Sequence, residues 1–79
     1  MMTNDEILIK VREIVDKHSG GCKFLELLTE IHPYIKFDNM DDANSFEAFI
    51  RSDGERVYIK ILDYTDKSLN RAKMFVYTY

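Results

Sequence analysis

The chain has 79 residues, enough for one domain around one hydrophobic core. Apolar residues make up 46% of it and only three Gly and one Pro interrupt it, which excludes a disordered chain. The net charge of −3 argues against a binder that is basic throughout, although the charge is uneven: residues 1–50 carry twice as many acidic as basic side chains, whereas residues 51–79 are mildly basic.

Cysteine usage and the N-terminus favour an intracellular protein. Cys22 is the single cysteine, so no disulfide can form within the chain, and small secreted domains usually carry several. Residues 1–6 are acidic and lack the apolar segment of a signal peptide, and no apolar run is long enough to span a membrane. We therefore expect a single cytoplasmic domain over residues 1–79.

The first predicted helix begins at a capping box formed by Thr3 and Glu6. Its apolar positions recur with a period near 3.6, and it should stop at Ser19-Gly20-Gly21, because Gly readily takes the left-handed conformation that ends a helix. These apolar positions are Ile7, Leu8, Val11, Ile14 and Val15.

The second predicted helix covers Lys23 to Ile31 and carries a wide apolar stripe. Pro33 should end it, because the residue before a proline is pushed out of the α region. The alternating segment Tyr34-Ile35-Lys36-Phe37 then predicts extended chain.

The third predicted helix is short, with either Asp41 or Asp42 as its N-cap. A turn at Ser52-Asp53-Gly54-Glu55 should follow it. The expected buried stripe consists of Ala43, Phe46, Phe49 and Ile50.

Two alternating segments, residues 57–62 and 74–79, predict β-strands joined by a polar loop over residues 65–71. A two-stranded hairpin is only marginally stable alone, so it must pack on the helices. The predicted fold class is α+β: a three-helix winged helix with a C-terminal two-stranded antiparallel β-hairpin.

Two short motifs carry a family resemblance. Gly20-Gly21-Cys22-Lys23-Phe24-x-x-Leu27, followed by Phe46-x-x-Phe49-Ile50-Arg51 and a strand, resembles the LOTUS-type winged-helix domain over roughly residues 7–62. Domains of that type have Gly-Gly ahead of the second helix and a similar aromatic motif near the end of the third. The resemblance implies a winged-helix fold that binds RNA or a protein partner.

Catalytic and metal chemistry find little support in the pattern. His18 lies four residues before Cys22, but two glycines break the helix between them, so Cys22 is better interpreted as a small buried residue. His18 and His32 lack paired ligand spacing and fit helix ends. The acidic segment 38–44 does not match a calcium loop, and no glycine-rich phosphate loop is present. We expect no enzyme, metal or cofactor.

Nucleic-acid binding, in a regulatory role, is the leading functional hypothesis. The exposed face of the third helix offers Asn44 and Arg51 for base edges, although Glu47, Asp41 and Asp42 would repel phosphates. The hairpin is the better candidate, because basic residues beside aromatic rings suit phosphate contact and base stacking. Its predicted contact residues are Arg56, Tyr58, Lys60, Lys67, Arg71 and Lys73.

A protein-interaction module, possibly homodimeric, is the alternative. The C-terminal strand is rich in aromatic residues, with Phe75, Tyr77 and Tyr79 at alternate positions. An exposed strand edge invites pairing with another chain, and Tyr-rich surfaces favour protein interfaces.

Overall fold

A computed structural model describes residues 2–62 and 74–79 of the chain. Three α-helices occupy Asn4–Lys17 (α1), Phe24–Ile31 (α2) and Met40–Asp53 (α3). The predicted loop over residues 65–71 lies outside the described residues.

Three strands form one antiparallel sheet in the order β1-β3-β2. They cover Gly21–Lys23 (β1), Ile59–Leu62 (β2) and Phe75–Thr78 (β3). The prediction of an α+β domain with three helices is therefore confirmed, but the sheet has three strands where a two-stranded hairpin was expected. The additional strand, β1, has only three residues and begins with glycine, so it carries no alternating pattern from which it could be predicted.

The left-handed residue that ends α1 is Ser19 and not a glycine. The predicted capping box is present, with the Thr3 hydroxyl accepting from the Glu6 N–H at 3.2 Å. At the other end, Ser19 takes the left-handed conformation with φ of 61°, and Gly20 follows with φ of 88°. The Gly20 N–H donates to the Val15 carbonyl at 3.1 Å, which closes a Schellman motif with Ser19 as the left-handed residue.

Pro33 does not force the chain out of the α region at His32. His32 has φ of −52° and ψ of −38°, and the N–H groups of Tyr34 and Ile35 both donate to the Ile31 carbonyl. α2 nevertheless ends at Ile31, as predicted, and a turn follows it through Tyr34, where extended chain was expected to begin. At its start, α2 is one residue shorter than predicted because Lys23 belongs to β1.

Asn39, rather than Asp41 or Asp42, caps α3. Its side-chain oxygen accepts from the Asp42 N–H at 3.0 Å. The Asp42 carboxylate instead accepts from the Asp38 N–H at 2.8 Å. The turn predicted at residues 52–55 begins two residues later, since α3 continues to Asp53 and a 3₁₀ turn follows over Gly54–Val57.

The core lies between the helices and the inner face of the sheet. Ala43, Phe46 and Ile50 of the predicted α3 stripe are buried, whereas Phe49 is half-buried. The rings of Phe24 and Phe46 meet at the centre with centroids 6.0 Å apart. The largest fully buried side chains are Leu8, Val11, Val15, Phe24, Leu27, Ile31, Ile50, Ile59 and Val76.

Candidate nucleic-acid interface

The outer face of the sheet carries a row of aromatic side chains. Val76 of the central strand is buried in the core, so the side chains on either side of it point away from the helices. Phe75 and Tyr77 are half-buried, and Tyr79 is 52% exposed. We call Phe75, Tyr77 and Tyr79 the aromatic row. It occupies the middle of the sheet because β3 lies between the other two strands.

A lysine flanks the aromatic row on each side. Lys23 of β1 is the cross-strand partner of Phe75, and Lys60 of β2 is the partner of Tyr77. Both lysines are exposed, and the Lys60 ammonium lies 4.5 Å from the ring centroid of Tyr79. Directly opposed residues share a face of a sheet, so the positive charges stand beside the rings.

No carboxylate occupies an outward position in the described strands. The remaining outward residues are Gly21 opposite Tyr77 and Leu62 opposite Phe75, and Leu62 is 47% exposed. A chain with a net charge of −3 thus presents a face whose charged side chains, within these strands, are only lysines.

Gly21 makes room for the Phe75 ring on the outer face of the sheet. A Cβ atom at position 21 would lie 2.5 Å from Cε2 of Phe75, closer than any real contact. The Phe75 ring therefore covers the backbone of Gly21, and any larger residue at position 21 would require the ring to shift. The second glycine of the Gly-Gly pair accommodates an aromatic ring, while the first, Gly20, takes the left-handed conformation.

Tyr58 extends the aromatic row beyond Tyr79. It takes the left-handed conformation with φ of 60°, uncommon for a bulky residue, and is 58% exposed. Its carbonyl accepts from the Tyr79 N–H at 3.0 Å, and the two rings meet edge to face with centroids 5.9 Å apart. The backbone bond holds the two rings together.

The predicted binding residues on α3 lie outside the sheet, although Arg51 lines a depression beside β2 together with Lys60. Asn44 is exposed on α3, and the Arg51 guanidinium pairs with the Glu47 carboxylate at 3.0 Å. The first turn of α3 carries Asp41 and Asp42. These carboxylates disfavour phosphate at this helix.

The remaining predicted contacts divide into three groups. Arg56 forms an ion pair with Asp5 of α1, so its charge is already matched. Tyr58 and Lys60 lie with the aromatic row, as described above. The predicted contacts Lys67, Arg71 and Lys73 lie outside the described residues.

The C-terminal strand has no exposed edge, contrary to the sequence-based expectation. β3 pairs with β1 on one side and with β2 on the other, so its backbone groups are taken up in the sheet. Its aromatic side chains are available on the outer face, but strand addition to β3 is excluded.

Lys23 is the residue of the candidate interface that the sequence did not predict. It was assigned to the start of α2, whereas it lies in β1 and has φ of −67° and ψ of 147°. Its position beside Phe75 depends on pairing between segments more than fifty residues apart, which no local pattern reveals.

Cys22 is 3% exposed and lies in the core, as predicted. Burial raises the pKa of its thiol to about 11, with Glu26 and Glu30 contributing in the same direction. The thiol is therefore protonated at neutral pH and is a poor nucleophile.

His18 joins the end of α1 to α2 through carboxylates. Its Nε2 is hydrogen-bonded to the Glu30 carboxylate, and its Nδ1 lies 3.5 Å from the Glu26 carboxylate. The Lys17 ammonium also binds Glu30, at 3.2 Å. These hydrogen bonds, from His18 first and Lys17 second, lower the pKa of Glu30.

We expect this cluster to contribute stability that acid removes. A carboxyl whose folded pKa is depressed stabilises the fold above its unfolded value, near 4.5, and that contribution disappears as pH falls through the folded pKa. Glu30→Gln should therefore be less stable than the parent at neutral pH, and the gap should close on acidification. Urea denaturation at several pH values measures it, with the exposed Glu55→Gln as control. A gap that stays constant down to low pH would contradict the assignment.

Comparisons with protein-family models, curated proteins and solved structures found no match for this chain. Among residues 2–62 and 74–79, no helix is both long enough and apolar enough to cross a membrane. In the same part of the chain, no three His, Cys, Asp or Glu side chains come together as a group that could hold a metal ion.

Proposed function

We propose that this chain is a winged-helix binding module that contacts nucleic acid through the outer face of its sheet. The observation that supports this proposal most directly is the aromatic row flanked by Lys23 and Lys60, on described strands without an outward carboxylate. Aromatic rings stack on bases whatever the sequence, and lysines contact phosphates. The rings and the charges lie side by side, as such a ligand requires.

The arrangement of the elements supports the winged-helix part of the proposal. Three helices precede β2 and β3, and these strands pack back on the helices. β1 adds a strand to the sheet without changing this order. The proposal includes the resemblance to LOTUS-type domains. Of the residues that carry it, Gly20 and Gly21 lie close to β3, and Phe46 and Ile50 lie in the core.

The proposed surface differs from the one by which a duplex-reading winged helix enters the major groove. Asp41 and Asp42 at the start of α3 would face phosphates unfavourably, and Arg51 is paired with Glu47. Lys23 and Lys60 have no such carboxylate beside them on the face of the described sheet. The sheet is therefore the favoured surface.

Charge reversal of both lysines tests the proposal. We expect Lys23→Glu combined with Lys60→Glu to weaken binding of short fluorescent DNA and RNA oligonucleotides about tenfold or more, as measured by anisotropy at low salt. Each lost phosphate contact should also reduce the slope of log affinity against log salt by about 0.7 for a single strand.

Lys36→Glu is the control, since on an exposed residue between α2 and α3 it makes the same charge change as Lys23→Glu or Lys60→Glu alone, half that of the double variant. It should leave affinity within about twofold once the general effect of net charge is screened by salt. Equal losses in the two proteins, or no binding by the parent chain, would overturn the proposal.

A protein-interaction module remains the second candidate, and one observation favours it. Leu62 adds an exposed apolar side chain beside Phe75, and tyrosine is frequent in protein interfaces. If two copies pair through this face, light scattering should give twice the monomer mass. Tyr77→Ala should then restore the monomer.

A further inference from the structure

The spacing of the aromatic row sets a condition on any nucleic acid that stacks on it. Alternate residues of a strand are about 6.6–6.8 Å apart along the strand. Consecutive bases of one strand in a duplex are separated by about 3.4 Å along its axis. Bases placed on Phe75, Tyr77 and Tyr79 must therefore stand about twice as far apart as they do when stacked on each other.

The faces of the bases must also be free. In a duplex each base is covered above and below by its neighbours, so an aromatic ring reaches a base face only at an end. The row has a ring at each of three alternate positions, and Tyr58 adds a fourth ring next to Tyr79. Several rings in a row can each stack on a base only if those bases are no longer stacked on each other.

Lys23 and Lys60 fit the backbone of such a strand. They belong to opposite edges of the described sheet, and each lies about 4.8 Å from the central strand. The Lys60 ammonium lies over the Tyr79 ring, 4.5 Å from its centroid, so a base that stacks on this face of the ring must displace the ammonium. A backbone running along the row would pass a lysine near each end of it.

We infer that the ligand of this face is an extended single strand of DNA or RNA, with about one base on each of Phe75, Tyr77 and Tyr79. This inference rests on the proposed function and narrows it to a class of ligand. Duplex contacts would need α3, whose first turn is acidic. The sheet face offers rings for bases and lysines for phosphates.

The inference is tested by comparing a single strand with its own duplex. Anisotropy is measured with a labelled oligothymidine, with the same strand annealed to oligoadenosine, and with an oligouridine. We expect both single strands to bind at least about tenfold more tightly than the duplex. Affinity should rise steeply with length up to about three nucleotides, and beyond that only slowly as the number of equivalent binding registers grows.

Variants of Tyr77 test the stacking role. Tyr77→Ala should lower single-strand affinity about 5- to 150-fold, the range found when one stacking ring is removed. Tyr77→Phe keeps the ring and should bind like the parent, which guards against a loss caused by misfolding. Tyr34→Ala is the matched control, because Tyr34 is 51% exposed and also has a lysine, Lys10, 4.5 Å from its ring centroid, but lies outside the sheet.

The outcomes separate the inference from the proposed function. Equal or tighter binding of the duplex, lost in the double lysine variant, would overturn the single-strand inference and leave the proposed function standing. No binding of any oligonucleotide would overturn both. A dimer that dissociates in Tyr77→Ala, with no oligonucleotide bound, would assign the face to a second copy of the chain and would also overturn both.

Discussion

Phe24→Ala is expected to remove most of the free energy of unfolding. The side chain is completely buried at the start of α2 and packs against Phe46 in the middle of the core. Truncating a buried Phe to Ala costs about 3–5 kcal/mol, because the lost burial is combined with a cavity. Natural domains are stabilised by about 5–15 kcal/mol, and small ones lie near the low end because they bury a smaller fraction of their surface.

Urea denaturation followed by circular dichroism measures the effect, and Leu25→Ala is the control. Leu25 is the next residue on the same helix but is 44% exposed, so its truncation should change the free energy of unfolding by about 0.5 kcal/mol or less. The core described above predicts a large difference between these neighbours. Similar losses in the two variants would show that α2 turns a different face to the core.

Gly54→Ala is expected to destabilise the fold by about 1–3 kcal/mol, the usual cost of overpacking. The backbone of Gly54 has φ of −59° and ψ of −29°, a conformation that alanine adopts easily. On that ground alone the substitution would stabilise the protein by about 0.4–1 kcal/mol. The sign is reversed by packing, since the added Cβ would lie 2.8 Å from the Ile59 carbonyl oxygen.

The contact that opposes this alanine is backbone, and the strand that carries it cannot rotate out of the way. Ile59 is itself buried and is paired with Thr78. Ser52→Ala, on the exposed side of the same helix end, should stay within about 0.5 kcal/mol of the parent in the same urea experiment. A stabilised Gly54→Ala protein would contradict the close approach of the 3₁₀ turn and β2.

The helices were predictable where the signal is local. Two signals in α1 depend only on residues a few positions apart: the capping box of Thr3 and Glu6, and the spacing of the buried residues. The N-cap of α3 was misplaced, because Asn39, Asp41 and Asp42 are all good caps and only the backbone conformation selects Asn39. Pro33 was expected to push His32 out of the α region, but this effect is only a preference, and His32 keeps helical backbone angles.

The candidate site was predictable in part. The alternation of Phe75, Tyr77 and Tyr79 places the three rings on one face of a strand, and this needs no knowledge of the rest of the chain. The position of Lys23 beside them depends on a pairing between β1 and β3 that no local pattern encodes. The Arg56–Asp5 pair likewise joins distant segments, so the sequence overstated how much of the hairpin's positive charge is available.

An NMR titration of the ¹⁵N-labelled chain with oligothymidine tests the central claim most directly, because it reports every backbone amide. We expect the largest chemical-shift changes on the three strands, at Lys23, Lys60 and Tyr77, while the amides of Asp41 and Asn44 on α3 stay unchanged. Changes concentrated on α3, or no changes at all, would contradict this claim.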